Sequence, residues 1–201
     1  MIDYILPAQQ EVKSGESIMS PIHNGKGMIV IGYQGIGKST LASKRDGIID
    51  LESSNFKIDG ERDENWYIIY CRIAVSLACQ GYIVLISSHE CVRSELRKYN
   101  PNNPKDKYTV VIICPHYALE DQWIQRLHNR YIQDRSDKNY AAWKDAEAHF
   151  VDSIQSMTQG VVFSIILLDS MDYDLGGLIM SLYRASQPKT HFSQRIREEG
   201  C

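Results

Sequence analysis

Residues 32–39 read GYQGIGKS and match the pattern G-x-x-x-x-G-K-[ST] without a mismatch. Glycines at these positions allow the backbone to curl, so that successive N–H groups face one anion. The lysine of the pattern can reach the β- and γ-phosphate oxygens of a nucleotide, and the hydroxyl that follows it can bind Mg²⁺. The predicted contact residues are Gly32, Gly35, Ile36, Gly37, Lys38, Ser39 and Thr40.

The segments on either side of this loop supply the setting that phosphate binding needs. An apolar run at 28–31 precedes the loop and predicts a β-strand, and the residues at 40–44 predict a helix. The free N–H groups and the dipole of a helix start attract phosphate. Strand, glycine loop and helix together predict a P-loop that binds a nucleoside triphosphate with Mg²⁺.

The rest of the chain alternates apolar runs with amphipathic stretches, which is typical of a parallel sheet covered by helices. Five runs are predicted to be buried strands, at 28–31, 47–51, 82–86, 108–114 and 161–168. A capping box at Ser87-x-x-Glu90 predicts one of the helix starts between them. Because strands that are apolar throughout have both faces covered, we expect a doubly wound α/β domain with a five-stranded parallel sheet.

The composition is that of one globular domain. The chain has 201 residues, of which 43% are hydrophobic and 23% charged. Its net charge of −3 gives no electrostatic reason to expect nucleic acid or an anionic membrane as a partner. No apolar run reaches the roughly 18 residues of a membrane span. Segment 1–26 is predicted to be an N-terminal extension, and 27–201 a single P-loop domain.

The cysteines indicate a reducing compartment. They form no CxxC pair and no zinc-ligand spacing. Because their number is odd and their surroundings are mostly apolar, we expect reduced thiols in a cytosolic protein. The N-terminus shows no basic region followed by an apolar one, so no signal peptide is expected. The predicted location is the cytoplasm, or the host cytoplasm if the chain is viral.

The extra glycine within the loop, in the pattern GxxGxGK[ST], resembles the P-loop of small-molecule kinases. With the order of the later elements, the chain is similar to the nucleoside monophosphate kinase superfamily, which includes adenylate, thymidylate, shikimate and gluconate kinases and many small bacteriophage nucleotide kinases. The resemblance spans roughly residues 28–183. It implies a P-loop NTPase three-layer sandwich with a small helical lid, the use of ATP and Mg²⁺, and transfer of the γ-phosphate to a small acceptor.

The resemblance also implies where the acceptor binds. In these kinases the end of the second strand borders the acceptor site and often carries an acidic pair, and this chain has Asp50 and Glu52 there. After the third strand, Arg93 stands where an arginine holds an acceptor anion, and Arg72 is a further candidate. These four residues are the predicted acceptor-binding residues.

The metal site is predicted less completely. Ser39 is the expected Mg²⁺ ligand. The carboxylate that supports it stays open among Asp50, Glu52 and Asp169, because serines at 87–88 stand where a Walker B aspartate is expected. Asp169 fits the Walker B pattern of an aspartate after an apolar run, but on a strand where the superfamily does not usually place it.

A second basic pair resembles the RLxxR pattern that begins the lid of this superfamily. Arg126 and Arg130 are four residues apart and are expected to share a helix face, opposite Trp123 and Leu127. Two guanidinium groups there would close over the transferring phosphoryl group. The predicted lid covers about 126–145.

The leading hypothesis is a kinase of a (deoxy)nucleoside monophosphate. A phosphate acceptor needs no general base, but it needs cations to neutralise two approaching phosphates and a lid to exclude water. Arginines at four positions are candidates for this task. The expected catalytic residues are Lys38, Arg126, Arg130 and Asp50.

Two other functions stay open. The acceptor of a kinase can be a hydroxyl group, as in a sugar acid or a nucleoside, in which case Asp50 or Glu52 would take or orient the hydroxyl proton. The chain can also be a P-loop ATPase or switch that acts on a macromolecule. The expected partner is a small-molecule acceptor, and the expected state is a monomer or a homodimer.

Overall fold

The computed structural model of the chain describes residues 26–58, 61–99, 108–160 and 162–187. The predicted N-terminal extension lies outside these residues except for Lys26. Five strands form the main sheet, namely β1 (Gly27–Gly32), β2 (Ile48–Asp50), β5 (Ile83–Ile86), β6 (Tyr108–Pro115) and β7 (Ser164–Leu168). A short antiparallel hairpin, β3 (Lys57–Ile58) with β4 (Glu61–Arg62), was not predicted.

The main sheet is wholly parallel, with the strand order β2-β5-β1-β6-β7. Each of its strands overlaps one of the predicted apolar runs, so the predicted five-stranded parallel sheet is confirmed. The prediction that every strand is buried is wrong for β7, which lies at the edge of the sheet and has only Leu168 buried. All six residues of β1 are buried. Because successive side chains point to opposite faces of a sheet, burial along the whole strand means that both faces are covered.

The strand order places the phosphate-binding motif at a topological switch point. Strands β2 and β5 lie on one side of β1, whereas β6 and β7 lie on the other. Ile29 of β1 accordingly pairs with Val84 of β5 on one side and with Val110 of β6 on the other. In open parallel sheets, ligands bind at the carboxyl ends of the strands beside such a point. β1 ends there at Gly32, where the motif begins.

Helices connect the strands at or near the predicted positions. They are α1 (Lys38–Ala42), α2 (Trp66–Cys79), α3 (Glu90–Arg97), α4 (Glu120–Gln133), α5 (Asp137–Thr158) and α6 (Leu175–Ser186). The capping box predicted at Ser87 is wrong, because α3 begins only after His89 and has no side-chain cap. The backbone N–H of Ser87 instead donates to the hydroxyl of Tyr70 at 2.9 Å, which holds it at the strand end.

Helix α5 has two halves that differ in what they contact. Its helical dihedral angles break at His149, where φ is −139° and ψ is 21°. The residues after the break pack into the core through Phe150, Ile154 and Met157. The residues before it, which follow α4 in an antiparallel pair, include several that border the cleft described below.

Two further expectations concern membrane spans and the state of the cysteines. Within the described ranges, no helix is both long and apolar enough to cross a membrane. The four described cysteines, at positions 71, 79, 91 and 114, are all free thiols. Burial raises the pKa of the Cys71 and Cys114 thiols to about 12, so both are protonated, unreactive side chains of the core.

Candidate functional site

The loop at 32–39 connects the central strand directly to α1. Gly35 and Gly37 have φ values of 83° and 98°, in the left-handed region that other residues enter only with strain. Gly37 is also the residue immediately before α1. Gly37 of the motif and the extra glycine Gly35 therefore shape the loop and bring the free N–H groups of the helix start towards its interior.

The ammonium group of Lys38 lies inside this loop. It donates to the carbonyl oxygen of Gly32 at 2.9 Å and to that of Tyr33 at 3.4 Å. Although part of the side chain is exposed, burial of the ammonium group lowers the pKa of Lys38 to about 8, against the opposing effect of Asp50 and Glu52. The ammonium group is buried and its hydrogen bonds go to neutral carbonyl groups. Phosphate oxygens would compensate its charge at short range, so it is well suited to bind an anion.

Ser39 lies beside the two carboxylates predicted to support the metal. Its hydroxyl donates to Asp50 Oδ2 at 2.5 Å and lies 3.5 Å from Glu52 Oε1. The other carboxylate oxygen of Asp50, Oδ1, is buried and has no hydrogen-bond partner among the described residues. Burial raises the pKa of Asp50, although its hydrogen bond with Ser39 and the charge of Lys38 oppose the shift.

This group of oxygens fits Mg²⁺. The ion prefers oxygen ligands and usually binds one or two carboxylates together with phosphates and water. The hydroxyl of Ser39 donates a hydrogen bond to Asp50, so the lone pairs of the hydroxyl oxygen face away from that bond and can bind a cation. The buried Oδ1 of Asp50 has no hydrogen-bond partner among the described residues. Asp169 is exposed after the edge strand β7 and does not border the site, so it is removed from the candidate metal ligands.

An open cleft of about 1640 Å³ surrounds the loop. This volume exceeds that of a typical small-ligand pocket, so the cleft has room for a nucleotide and a second small molecule. One wall consists of the loop and the ends of β2 and β5. The other wall consists of α4 and the first half of α5, which include most of the predicted lid.

Arg126 borders the cleft, but not on the helix face that the sequence predicts. Its guanidinium carbon lies 5.1 Å from the ring centre of Trp123 and 5.5 Å from that of Tyr173. It was predicted to lie opposite Trp123. The correction has a simple cause, since residues three apart are neighbours on a helix and the buried indole offers a cation–π contact. The hydroxyl of Tyr173 donates to the carbonyl oxygen of Ile36 at 3.1 Å, so this contact is anchored to the loop.

Arg130 borders the cleft one turn further along α4. Its Nε donates to Oδ1 of Asn139 at 2.5 Å, and Asn139 is 4% exposed. The amide nitrogen of Asn139 donates in turn to the backbone and side-chain oxygens of Asp134. A buried amide thus fixes the inner end of the guanidinium group, while the contact leaves its terminal nitrogens to bind other groups.

The hypothesis from the sequence that Arg126 and Arg130 act in phosphoryl transfer predicts that Arg126→Ala and Arg130→Ala, made separately, lower its kcat by about 10²–10³-fold, the usual effect of losing one preorganised donor. The KM for ATP should change less, because the lost interaction strengthens as charge develops on the transferring group. Steady-state kinetics measure both constants. Arg135→Ala is the matched control, since Arg135 is exposed and does not border the cleft. Retention of kcat within about threefold in both variants would show that neither arginine acts in transfer.

The two other predicted acceptor arginines do not reach the cleft. Arg93 is 4% exposed, and its guanidinium group donates to the backbone oxygen of Ser88 and to both oxygens of Ser156, at 3.2 and 2.6 Å for the latter. It therefore ties α3 to α5 in the interior. Arg72 lies on the solvent-exposed side of α2 and does not border the cleft. We remove both from the predicted acceptor site.

Two residues near the site were missed from the sequence. The hydroxyl of Tyr70 donates to the backbone oxygen of Leu51 at 2.6 Å and accepts from Ser87, so it joins the ends of β2 and β5. Lys138 donates to Glu52 at 2.7 Å from the start of α5. Tyr70 looked like one of several apolar helix residues, and Lys138 like an ordinary lysine in a polar segment, so no local signal marked either one.

Neither a protein-family model nor a curated protein sequence matches the chain. Among solved structures, it is similar to a gluconokinase from Sinorhizobium meliloti 1021, with 15% sequence identity and a TM-score of 0.44. The similarity covers 80% of this chain and 97% of that gluconokinase. Identity and TM-score at these levels support no argument about function, which therefore rests on the geometry of the cleft.

Proposed function

We propose that this chain is an ATP-dependent phosphotransferase that moves the γ-phosphate of Mg²⁺-ATP to a small acceptor. The observation that carries the proposal is the 2.5 Å contact between the Ser39 hydroxyl and Asp50 at the mouth of a glycine-shaped loop. It joins a phosphate-binding loop to a carboxylate that borders the same open cleft. The arginines of the opposite wall supply positive charge beyond the loop.

The acceptor we favour carries a hydroxyl group. The part of the cleft beyond β2 and β5 is bordered by polar, mostly uncharged side chains: Ser53, Ser54, Lys57, Ser87, Ser88 and His89. Among the described residues of that part, Lys57 is the one permanent cation. A second phosphate would demand more positive charge than this, whereas serine hydroxyls and backbone groups suit an acceptor with several hydroxyl groups.

A hydroxyl acceptor also gives Asp50 a role. The acceptor oxygen forms a bond to the γ-phosphorus while the bond from that phosphorus to the β–γ bridging oxygen breaks. The hydroxyl proton passes to the carboxylate of Asp50, which borders the cleft beside Ser39. Ser39 would hold Mg²⁺, which would supply positive charge to the phosphates. Lys38, Arg126 and Arg130 are placed to neutralise the charge that develops on the leaving ADP.

A nucleoside monophosphate is the second candidate acceptor. Two of the four arginines expected to serve it, Arg126 and Arg130, do border the cleft, and Lys57 lies at the acceptor end. The other two do not, which is why the hydroxyl acceptor now ranks first.

The test is to incubate the protein with Mg²⁺-ATP and a panel of polyhydroxyl compounds, sugar acids, nucleosides and nucleoside monophosphates. ADP formation should depend on the acceptor, and ³¹P NMR should show a new phosphomonoester. A phosphoanhydride product, formed from a monophosphate, would establish the second candidate instead. ATP turnover that is equal with and without every acceptor would contradict both and indicate an ATPase. A Lys38→Met sample controls for contaminating kinases.

A further inference from the structure

A cation outside every recognised motif lies at the mouth of this site. Lys138 is the second residue of α5, and its ammonium group donates to Oε1 of Glu52 at 2.7 Å. That same carboxylate oxygen is 3.5 Å from the hydroxyl of Ser39. The charge of Lys138 is close enough to act on Lys38 and on Asp50. Lys138 therefore sits among the groups that would surround the nucleotide phosphates.

The backbone of Lys138 is held in place. Ser136 caps α5 by accepting from the backbone N–H of Asn139 at 3.4 Å, and Asn139 is the buried residue that orients Arg130. The side chain of Lys138 is nevertheless 55% exposed. A long, flexible side chain on a fixed backbone allows the ammonium group to change its partner without movement of the helix.

Mg²⁺ would replace Lys138 as the positively charged neighbour of Glu52. Glu52 and Asp50 place two carboxylates near Ser39, and the charges of Lys38 and Lys138 offset them. A divalent cation bound beside Ser39 would take over this role. Bound phosphates would at the same time offer Lys138 a more highly charged partner than the carboxylate of Glu52. That carboxylate is partly exposed, and an exposed ion pair contributes little to stability.

We propose that Lys138 is a phosphate-binding residue of the nucleotide site, which leaves Glu52 when Mg²⁺-nucleotide binds and then donates to oxygens of the terminal phosphate. The inference rests on the proposed nucleotide binding, and it adds a third cation to the cleft wall formed by Arg126 and Arg130. It assigns to the Lys138–Glu52 ion pair the role of keeping this cation beside the site before nucleotide binds.

The test measures the binding of ligands to Lys138→Met by isothermal titration calorimetry. The ligands are a non-hydrolysable ATP analogue, ADP and adenosine, each with Mg²⁺. Loss of one charge-assisted hydrogen bond should weaken binding of the ATP analogue by about tenfold, that of ADP by less, and that of adenosine not at all. Lys138→Arg keeps the charge and should retain most of the affinity.

Lys144→Met is the matched control. Lys144 lies on the same helix and is also ion-paired, with Glu147, but it does not border the cleft. Its replacement should leave all three affinities unchanged. Neither variant should lower the melting temperature without ligand by much, since Lys138→Met loses one partly exposed ion pair and Lys144→Met loses an exposed ion pair with a cation–π contact to Trp143.

Two results would overturn the assignment of Lys138. One is an affinity of Lys138→Met for the ATP analogue equal to that of the wild type. The other is an equal loss for adenosine, which has no phosphate and would reveal a general disturbance of the site. Failure of the proposed function is distinguishable from both, because the wild-type protein itself would then not bind the nucleotides.

Discussion

Lys38→Met should abolish phosphoryl transfer, lowering kcat/KM by at least about 10²–10³-fold, while the ligand-free protein still folds. Lys38 donates to two loop carbonyls and packs nothing in the core, so its main contribution is charge at the phosphates. Lys44→Met is the matched control, because Lys44 is an exposed lysine just after α1. Near-normal turnover by a folded Lys38→Met variant would remove the phosphate-binding role of the loop.

The same variant should also change how stability depends on pH. Burial lowers the pKa of Lys38 in the folded state to about 8, below its ordinary value of 10.5. Between these two values the unfolded chain binds more protons at this residue, so its contribution to the free energy of unfolding rises with pH from about 8 to 10.5. Below pH 8 the wild type carries a buried charge that Lys38→Met lacks. Urea unfolding should therefore show the variant gaining on the wild type as pH falls through this window.

Asp50→Asn should lower kcat with a hydroxyl acceptor by about 10²–10⁴-fold, the range associated with loss of a general base. Asparagine keeps the shape of the side chain and can still accept from Ser39, but it cannot take up the acceptor proton. Excess Mg²⁺ should not restore the rate. Asp46→Asn is the control, since Asp46 is an exposed aspartate outside the cleft.

Titration with Mg²⁺ separates the two roles open to Asp50. If the carboxylate only supports the metal, the variant should need more Mg²⁺ for half-maximal activity and should recover most of its rate when the metal is saturating. Recovery of that kind, with a hydroxyl acceptor, would refute the assignment of Asp50 as the base. With a monophosphate as the true acceptor, no base is required and only the metal effect should appear.

The parts of this site that follow from the sequence are the local ones. The loop conformation depends on glycines that stand next to the residues they position, so eight consecutive letters contain the information needed to predict it. The sheet was predictable for a similar reason, because a strand buried on both faces is apolar along its whole length. Its order in space, which places β1 between β5 and β6, is a property of the whole chain.

Residues whose roles depend on distant partners were not predictable. An arginine after a strand has the same local sequence whether it faces a ligand or, like Arg93, meets Ser156 from another helix, 63 positions away in the chain. Lys138 and Glu52 are 86 positions apart. Arg126 is a related case. The helical period indicates which residues are neighbours on α4, but it does not indicate that the long side chain of Arg126 turns towards the ring of Trp123.

The break at His149 separates a stretch of α5 that packs into the core from one that borders the cleft. Substitutions after the break disturb the interior, where Phe150, Ile154 and Met157 are packed, and natural variation there should be restricted by folding. The stretch before it, including Lys138, borders the cleft and carries fewer core contacts. Changes of nucleotide affinity can therefore accumulate in that stretch during evolution at little cost to folding, and a directed-evolution library restricted to it would keep most of its members foldable.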